Sequence, residues 1–294
     1  MRARPGFLLA LPAWLWLVVF FVVPVLQVVW FSFGRKPGIF GTHDNSVLTL
    51  DRYAEALDPT FGTVFLNTLW IGVAGTALCA LIGIPTAYWM AVKAKPQWRG
   101  LLIALVMIPY WTNFLVRTIG WQVVLAPEGW LSTALGALGI LDGPLEVLNT
   151  RGAVLFGVVY NYLPLMILPA FVAFDRVDPT LREASRDLGA GRWRTLFRVT
   201  LPLAAPGLFA AVILVFIPLM GDYITPSVLG GAAGSMVAQL VAVQFQAGQN
   251  WALGSAIAVI LILAIVATAA LGYALFRLVA LPFAAARRVK LGAP

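Results

Sequence analysis

Six runs of mostly apolar residues, between 22 and 32 residues long, limit most strongly what this chain can fold into. An α-helix rises about 1.5 Å per residue, so each run can cross the hydrocarbon core of a bilayer, which is about 30 Å thick. Charged residues make up only 11% of the chain, well below the roughly 25% that is usual in soluble proteins. We therefore predict an all-α membrane protein in which residues 1–294 form one domain. The predicted spans are residues 7–33, 61–92, 100–125, 152–174, 208–229 and 251–280, and Gly83 and Pro85 predict a break in the second.

The Lys and Arg residues lie mostly on one side of these runs. With both termini in the cytoplasm, the inner segments hold fifteen of the 20 basic residues: two before the first run, three at residues 93–99, six at 175–207 and four from Arg277 onwards. Such an excess is the usual pattern of cytoplasmic loops, so we expect both termini to be cytoplasmic. It also explains the net charge of +8, and no nucleic acid partner is expected. The residues counted at the two ends are Arg2, Arg4, Arg287, Arg288 and Lys290.

Few residues in this sequence could support catalysis. The pattern GxxxxGK[ST], which cradles nucleotide phosphates, does not occur, and neither does GxSxG. Cys79 is the only cysteine and His43 the only histidine, so a Cys/His metal or nucleophile site is not expected. We predict a protein that is not an enzyme, has no catalytic or metal-binding residues and depends on a partner for energy.

Residues 175–207 form a charged interruption of the apolar pattern and carry ten charges, six of them Arg. Asp178-Pro179 is a helix start signal, with an acidic residue at the positive end of the helix. Gly189, Gly191 and then Leu201-Pro202 are positions where a helix can stop. The predicted orientation places this segment in the cytoplasm.

The same segment resembles the EAA loop of binding-protein-dependent ABC transporter permeases. The matching positions are Glu183, Ala184 and Ser185, then Gly189, and then Val199, Leu201 and Pro202. Ser185 and Val199 replace the Ala and Ile of the family and keep its small and β-branched character. The resemblance implies a type I ABC importer permease fold, similar to MetI, in which cytoplasmic EAA helices couple to an ATPase subunit that binds ATP and Mg. The alternative is a cationic loop held on anionic lipid headgroups, to which each Arg could contribute about 1 kcal/mol.

Asp222 is the only acidic residue inside a predicted span. A lone acid at mid-span costs about 2.5 to 3.5 kcal/mol, so Asp222 should face a partner or a wet cavity. Pro218, Gly221 and Pro226 surround it and would break the helix there, which is tolerated only where the backbone lines protein or water. A salt bridge to Arg117, in the third span, is the structural alternative.

Three segments resemble the spermidine/putrescine branch of these permeases: GDYITPSVLGG at residues 221–231, VVYNYLPLMILP at 158–169 and WALGSA at 251–256. That branch also takes opines, aminoethylphosphonate and ferric ion. A polyamine requires carboxylate groups and aromatic faces, and cation-π contacts contribute about 0.5 to 2 kcal/mol. The residues predicted to line its path are Asp222, Tyr223, Trp111, Tyr160 and Tyr162. Ordinary packing or interfacial belts are the alternative role for each aromatic residue.

Together these observations predict a permease subunit of an ATP-driven importer in a bacterial inner membrane. The resemblance implies four kinds of partner besides the bilayer lipids: a second permease, two cytoplasmic ATPase subunits, an extracytoplasmic binding protein and a small cationic solute, most simply a polyamine. The alternatives are an importer of another solute of the same branch and an uncoupled channel or scaffold. Which residues meet the binding protein, and what the outer loops do, is not indicated by the sequence.

Overall fold

The computed structural model describes residues 5–38 and 41–286, and these residues form helices and connecting turns without a β-strand. The α-helices are α1 (Pro5–Leu17), α2 (Val23–Phe31), α3 (Asp51–Ala56), α4 (Pro59–Tyr88), α5 (Pro96–Trp111), α6 (Phe114–Val124), α7 (Trp130–Ala137), α8 (Arg151–Asp175), α9 (Pro179–Asp187), α10 (Arg192–Thr195), α11 (Leu201–Met220), α12 (Val237–Gln246) and α13 (Trp251–Ala286). Short π-helical turns lie at Val18–Val22, Trp89–Lys93, Leu196–Thr200 and Pro226–Gly230. Arg2, Arg4, Arg287, Arg288 and Lys290, which entered the orientation count, lie outside the described residues.

The helices agree with a multi-pass membrane protein. Among the described residues, five helical segments are long and apolar enough to cross a bilayer: Ala10–Phe31, Phe61–Lys93, Arg151–Asp175, Arg192–Met220 and Trp251–Leu278. A sixth is obtained if α5 and α6, which meet at an angle of 85°, count as one span. The six predicted spans therefore each have a helical counterpart, and the third is bent.

The second span does not break at Gly83 and Pro85, as the sequence predicts. Helix α4 runs through both residues, and the chain stays helical to Lys93 through a π turn. Gly83 instead serves close packing, because an added Cβ would lie 2.7 Å from the Cγ of Met166 in α8. Small residues let helices approach closely in a bilayer.

The third span breaks where no break was predicted, at Thr112 and Asn113. Asn113 caps α6: its Oδ1 accepts hydrogen bonds from the backbone N–H groups of Leu115 and Val116, at 2.9 and 3.3 Å. These bonds satisfy two of the donors that a helix start leaves open. The cap therefore allows a new helix to begin inside the apolar run.

The fifth span also differs from its predicted bounds of 208–229. The chain is helical from Arg192, through a π turn and α11, to Met220, so Leu201-Pro202 does not end a helix. Pro202 is the second residue of α11, which directly follows the π turn. Beyond Met220 the backbone turns at Gly221, where a break was predicted, and it becomes helical again at Ile224, ahead of the π turn at Pro226–Gly230.

The chain divides into two compact units. One contains Val237–Ala264 and the described residues up to Leu66, and the other contains Asn67–Met236 and the described residues from Ile265. In the first unit, His43 stacks on Trp251 with ring centroids 5.7 Å apart, and Lys36 donates a hydrogen bond to the carbonyl of Gly248 at 2.8 Å. The segment after α2 is thereby tied to the start of α13.

The core of the second unit is built on α8. Its buried side chains recur at helical spacing and pack on α11, on α6 and on the π turn at Pro226–Gly230. Gly157 shows how tight this packing is, because an added Cβ would lie 2.6 Å from Leu229 and 2.7 Å from Thr225. Helix α8 thus holds the residues after the end of α11 in place.

Candidate coupling segment and helix-break site

The coupling segment, residues 175–207, folds into two short helices ahead of α11. Helix α9 begins at Pro179 and is capped by Asp178, whose Oδ1 accepts a hydrogen bond from the backbone N–H of Thr180 at 2.9 Å. Hydrogen bonds from Thr180 lower the pKa of the Asp178 carboxyl below its usual value. The stability from this cap is therefore present above the pKa of the unfolded chain and is lost as the pH falls through the pKa of the folded state.

Gly189 ends α9 in a left-handed conformation, with φ at +80°. Its N–H donates to the carbonyl of Arg186 at 2.8 Å, and the N–H of Ala190 donates to the carbonyl of Ser185 at 3.1 Å. This pair of bonds is the Schellman motif, which favours glycine because a Cβ is strained at positive φ. An added Cβ would meet no atom of this chain within 4 Å. The requirement for glycine thus comes from the backbone conformation and not from crowding within the chain.

The surface of this two-helix segment is apolar at several points. Leu188 is 89% exposed and Trp193 74% exposed, and Phe197 stacks on Trp193 with centroids 6.1 Å apart. Glu183 and Ala184 are exposed as well. Large exposed apolar side chains beside charged ones are typical of a protein contact surface.

The remaining residues of the predicted motif join the two helices and connect them to α11. The hydroxyl oxygens of Ser185 and Thr195 lie 3.1 Å apart, and this contact joins α9 to α10. Val199 lies in the π turn, and Leu201 and Pro202 open α11; all three are partly buried. The motif is therefore continuous with a helix that can cross the membrane.

Asp222 lies just beyond the end of α11 and is 5% exposed. Its Oδ1 accepts hydrogen bonds from the N–H groups of Ile224 and Thr225, at 2.9 and 3.0 Å, and its Oδ2 accepts one from the Thr225 hydroxyl at 2.5 Å. The carboxylate therefore organises the backbone after the break, as an N-cap residue does.

The predicted pathway aromatics fall into two groups. Trp111, at the end of α5, is 80% exposed, and Tyr223, beside Asp222, is 46% exposed. Tyr160 packs edge-on against Trp121, with centroids 5.2 Å apart, and Tyr162 donates a hydrogen bond to the carbonyl of Pro218 at 3.2 Å. The exposed pair lies at helix breaks, whereas the tyrosines of α8 belong to helix packing.

Arg117 does not pair with Asp222. In the part of the chain that the structure describes, the ion pairs are Arg35–Asp44, Arg52–Glu55 and Arg99–Asp175. The Arg117 guanidinium lies over the rings of Tyr110 and Phe114, 5.5 and 5.6 Å from their centroids. Arg117 therefore makes cation-π contacts around the bend between α5 and α6, and not the salt bridge that was the structural alternative for Asp222.

Three residues that organise these sites were not singled out from the sequence. Asn113 caps α6, Thr195 joins α10 to α9, and Thr225 binds the Asp222 carboxylate. The spacing of Asp222 and Thr225, three residues apart, is a capping signal that could have been recognised. The contact of Thr195 bridges two helices, and local spacing does not reveal it.

Comparison with known proteins places the chain in a family. Residues 83–281 match the family described as "binding-protein-dependent transport system inner membrane component". The spermidine/putrescine transport system permease protein PotB of Haemophilus influenzae is 39% identical over 244 residues, covering 83% of this chain and 84% of the relative. The PotB protein of Escherichia coli is 35% identical over 246 residues, covering 84% of this chain and 88% of the relative.

A solved structure supports the fold. A bacterial ABC transporter that imports the acidic polysaccharide alginate contains a chain that superposes with a TM-score of 0.73 at 15% identity, covering 97% of this chain and 96% of that one. The predicted fold class, an all-α permease fold of the ABC importer type, is therefore confirmed.

Proposed function

The chain belongs to the family of binding-protein-dependent transport system inner membrane components, and on that premise we propose that it is the permease subunit of an ATP-driven polyamine importer. In this proposal it pairs with a second permease in a bacterial inner membrane, with both termini in the cytoplasm. Two cytoplasmic ATPase subunits bind ATP and Mg, and an extracytoplasmic binding protein delivers the solute.

The observation that carries the coupling role is the continuity of the coupling segment with α11. Helix α9 and α10 are joined by Ser185 and Thr195, and the chain from Arg192 to Met220 is one helical segment. A displacement of the exposed Leu188 and Trp193 by an ATPase subunit is then transmitted to the end of α11. Such rigid-body motion between two states is how alternating access operates.

The polyamine assignment is supported by the two PotB relatives and by the residues at the breaks. Trp111 and Tyr223 offer exposed aromatic faces to a methylene stem and its ammonium groups. Asp222 lies beneath the surface next to Tyr223, so in this proposal it attracts the cation by its field and not by direct contact. A path with weak attraction admits a cation and also releases it.

The experiment that tests this function uses the complete importer in sealed vesicles. The chain is co-expressed with its second permease, the ATPase and the binding protein, and both uptake and ATPase rate are measured. Spermidine and putrescine are compared with aminoethylphosphonate, an opine and ferric ion. We expect only the polyamines to stimulate the ATPase and to accumulate.

The outcomes separate the alternatives. Stimulation by aminoethylphosphonate alone would contradict the polyamine assignment and leave the importer role standing. Failure of the chain to purify with any ATPase subunit would instead favour an uncoupled channel or scaffold, because the coupling segment would then have no partner.

A further inference from the structure

A groove in the second unit is lined by α4, α11 and the middle of α13, at residues 268–272. Its volume is about 250 Å³, and its walls are almost entirely apolar, including Val73, Ala77, Phe209, Phe216 and Gly272. It follows α11 from Phe209 to Phe216, a length of about 10 Å at the rise of an α-helix. All three helices belong to segments long enough to cross a bilayer, so the groove lies at membrane depth.

The groove is open because small side chains line one wall. An added Cβ at Gly272 would meet no atom within 4 Å, so the space in front of this glycine is unfilled. Within a bilayer such space is filled by lipid chains or by another protein, since an empty apolar space forfeits dispersion contacts. Its extent of about 10 Å along α11 suits a segment of an acyl chain.

One end of the groove carries a positive charge. Phe209, which lines the groove, contacts Tyr273 at 5.7 Å and stacks on Phe276 at 4.6 Å between ring centroids. The guanidinium of Arg277 lies 5.7 Å from the centroid of the Tyr273 ring and is exposed. None of the ion pairs among the described residues involves Arg277. Both residues lie near the end of the apolar span Trp251–Leu278, and Tyr and Arg at such positions are the residues that meet lipid headgroups.

We infer that this groove binds an acyl chain of an anionic phospholipid whose phosphate is held by Arg277. The charge selects an anionic headgroup. A basic residue near the membrane surface raises the occupancy of anionic lipid about fivefold relative to neutral lipid. The apolar walls hold the chain, and Tyr273 lies between the two parts of the lipid. This site is independent of the transported solute and of the proposed function.

The test uses the full-length chain in phosphatidylethanolamine vesicles with a photoreactive diazirine on the acyl chain of an added lipid. Phosphatidylglycerol and phosphatidylcholine carrying the same acyl probe are compared, and adducts are mapped by mass spectrometry. We expect phosphatidylglycerol to label the groove segments of α4 and α11 about fivefold more than phosphatidylcholine does.

Two variants separate the roles of the groove and of the charge. Gly272→Leu fills the open space and should abolish labelling by both lipids, whereas Ala274→Leu, at an exposed position outside the lining, should leave it unchanged. Arg277→Gln should reduce labelling by phosphatidylglycerol to the level of phosphatidylcholine.

Equal labelling of the wild-type chain by the two lipids would overturn the inference without any variant. It would also be overturned if labelling were lost on assembly with the second permease, because a protein segment would then occupy the groove. Adducts that map away from the groove, or equal effects of Gly272→Leu and Ala274→Leu, would contradict it as well.

Discussion

Asp222 combines a structural role with a charge, and the two can be separated by substitution. Its Oδ1 accepts two backbone hydrogen bonds, and its Oδ2 accepts the Thr225 hydroxyl. Asparagine retains an oxygen acceptor for the backbone bonds and is as good a cap as aspartate. It removes the charge and places an NH2 donor opposite the Thr225 hydroxyl, which can accept from it.

We predict that Asp222→Asn lowers polyamine uptake by about tenfold and leaves assembly intact. Two unit charges about 12 Å apart attract by roughly 1.4 kcal/mol at an effective dielectric of about 20, which accounts for a loss of that size. Uptake and complex yield are measured together. Wild-type uptake by Asp222→Asn, with lowered yield for Asp222→Ala, would show that the residue acts only as a cap.

A control for this prediction comes from Arg117, which stacks on Tyr110 and Phe114 and does not pair with Asp222. If the two charges are independent, Arg117→Gln should not restore uptake to the Asp222→Asn variant. Restoration of uptake and assembly in the double variant would indicate the salt bridge that the sequence left open.

Gly189 tests whether the coupling segment docks against a partner. Its positive φ is tolerated by asparagine and aspartate more readily than by most residues, and no atom of this chain crowds the position. We predict that Gly189→Asp and Gly189→Asn insert normally in the membrane and lose transport, because their side chains would meet the partner. Membrane yield and uptake are the measurements.

Gly189→Ala provides the matched comparison, since it adds a single methyl group and strains the backbone by about 1 to 2 kcal/mol. If Gly189→Ala loses transport while Gly189→Asn keeps it, the left-handed backbone is what coupling requires. Near-normal uptake by all three variants would remove the support for the coupling assignment.

At the scale of elements, the segment from Arg192 to Met220 transmits motion only if it stays stiff. Its continuity through the π turn at Leu196–Thr200 is what makes it one helical segment. Glycine in a helix interior costs about 1 kcal/mol relative to alanine because it frees the backbone. Arg194 lies just before this turn and Arg198 lies within it, and both side chains are exposed.

We predict that Arg194→Gly with Arg198→Gly uncouples ATP hydrolysis from uptake, whereas Arg194→Ala with Arg198→Ala does not. Both pairs lose the same charges and differ by one methyl group at each position, so the main difference between them is the helix propensity of Gly and Ala. The ratio of solute transported to ATP hydrolysed is the measurement. Equal ratios in the two double variants would show that a continuous helix is not needed.

The same elements show how far the sequence could predict the fold. The family fold could be predicted from the long apolar runs and from the motif between Glu183 and Pro202, because span length and motif spacing are local features of the sequence. The break at Asn113 was missed, since apolar composition continues through it. The break around Asp222 was predicted from the neighbouring prolines and glycine, and α11 does end there, at Met220. The capping side chain of Asn113 decides the break in the third span, and its hydrogen bonds are seen only in three dimensions. The packing role of Gly83 depends likewise on Met166, a residue far along the chain.

At the scale of the whole molecule, orientation in the membrane follows from charge. The coupling segment carries six Arg residues, and a basic segment of this kind is retained on the cytoplasmic side. Cys79 is the only cysteine of the chain and is fully buried in α4, so it should not react with a maleimide. The wild-type chain can therefore serve as the unlabelled control when introduced cysteines are used to find which side of the membrane a residue faces.

We predict that Ser46→Cys, in the exposed segment after α2, reacts with a membrane-impermeant maleimide on intact spheroplasts. Asp187→Cys, at the exposed end of α9, should react only after the membrane is permeabilised, because we expect the basic coupling segment to face the cytoplasm. The Cys79 parent should stay unlabelled in both conditions. The reverse pattern would place the coupling segment outside, where no cytoplasmic ATPase could reach it, and would contradict the orientation and the coupling mechanism together.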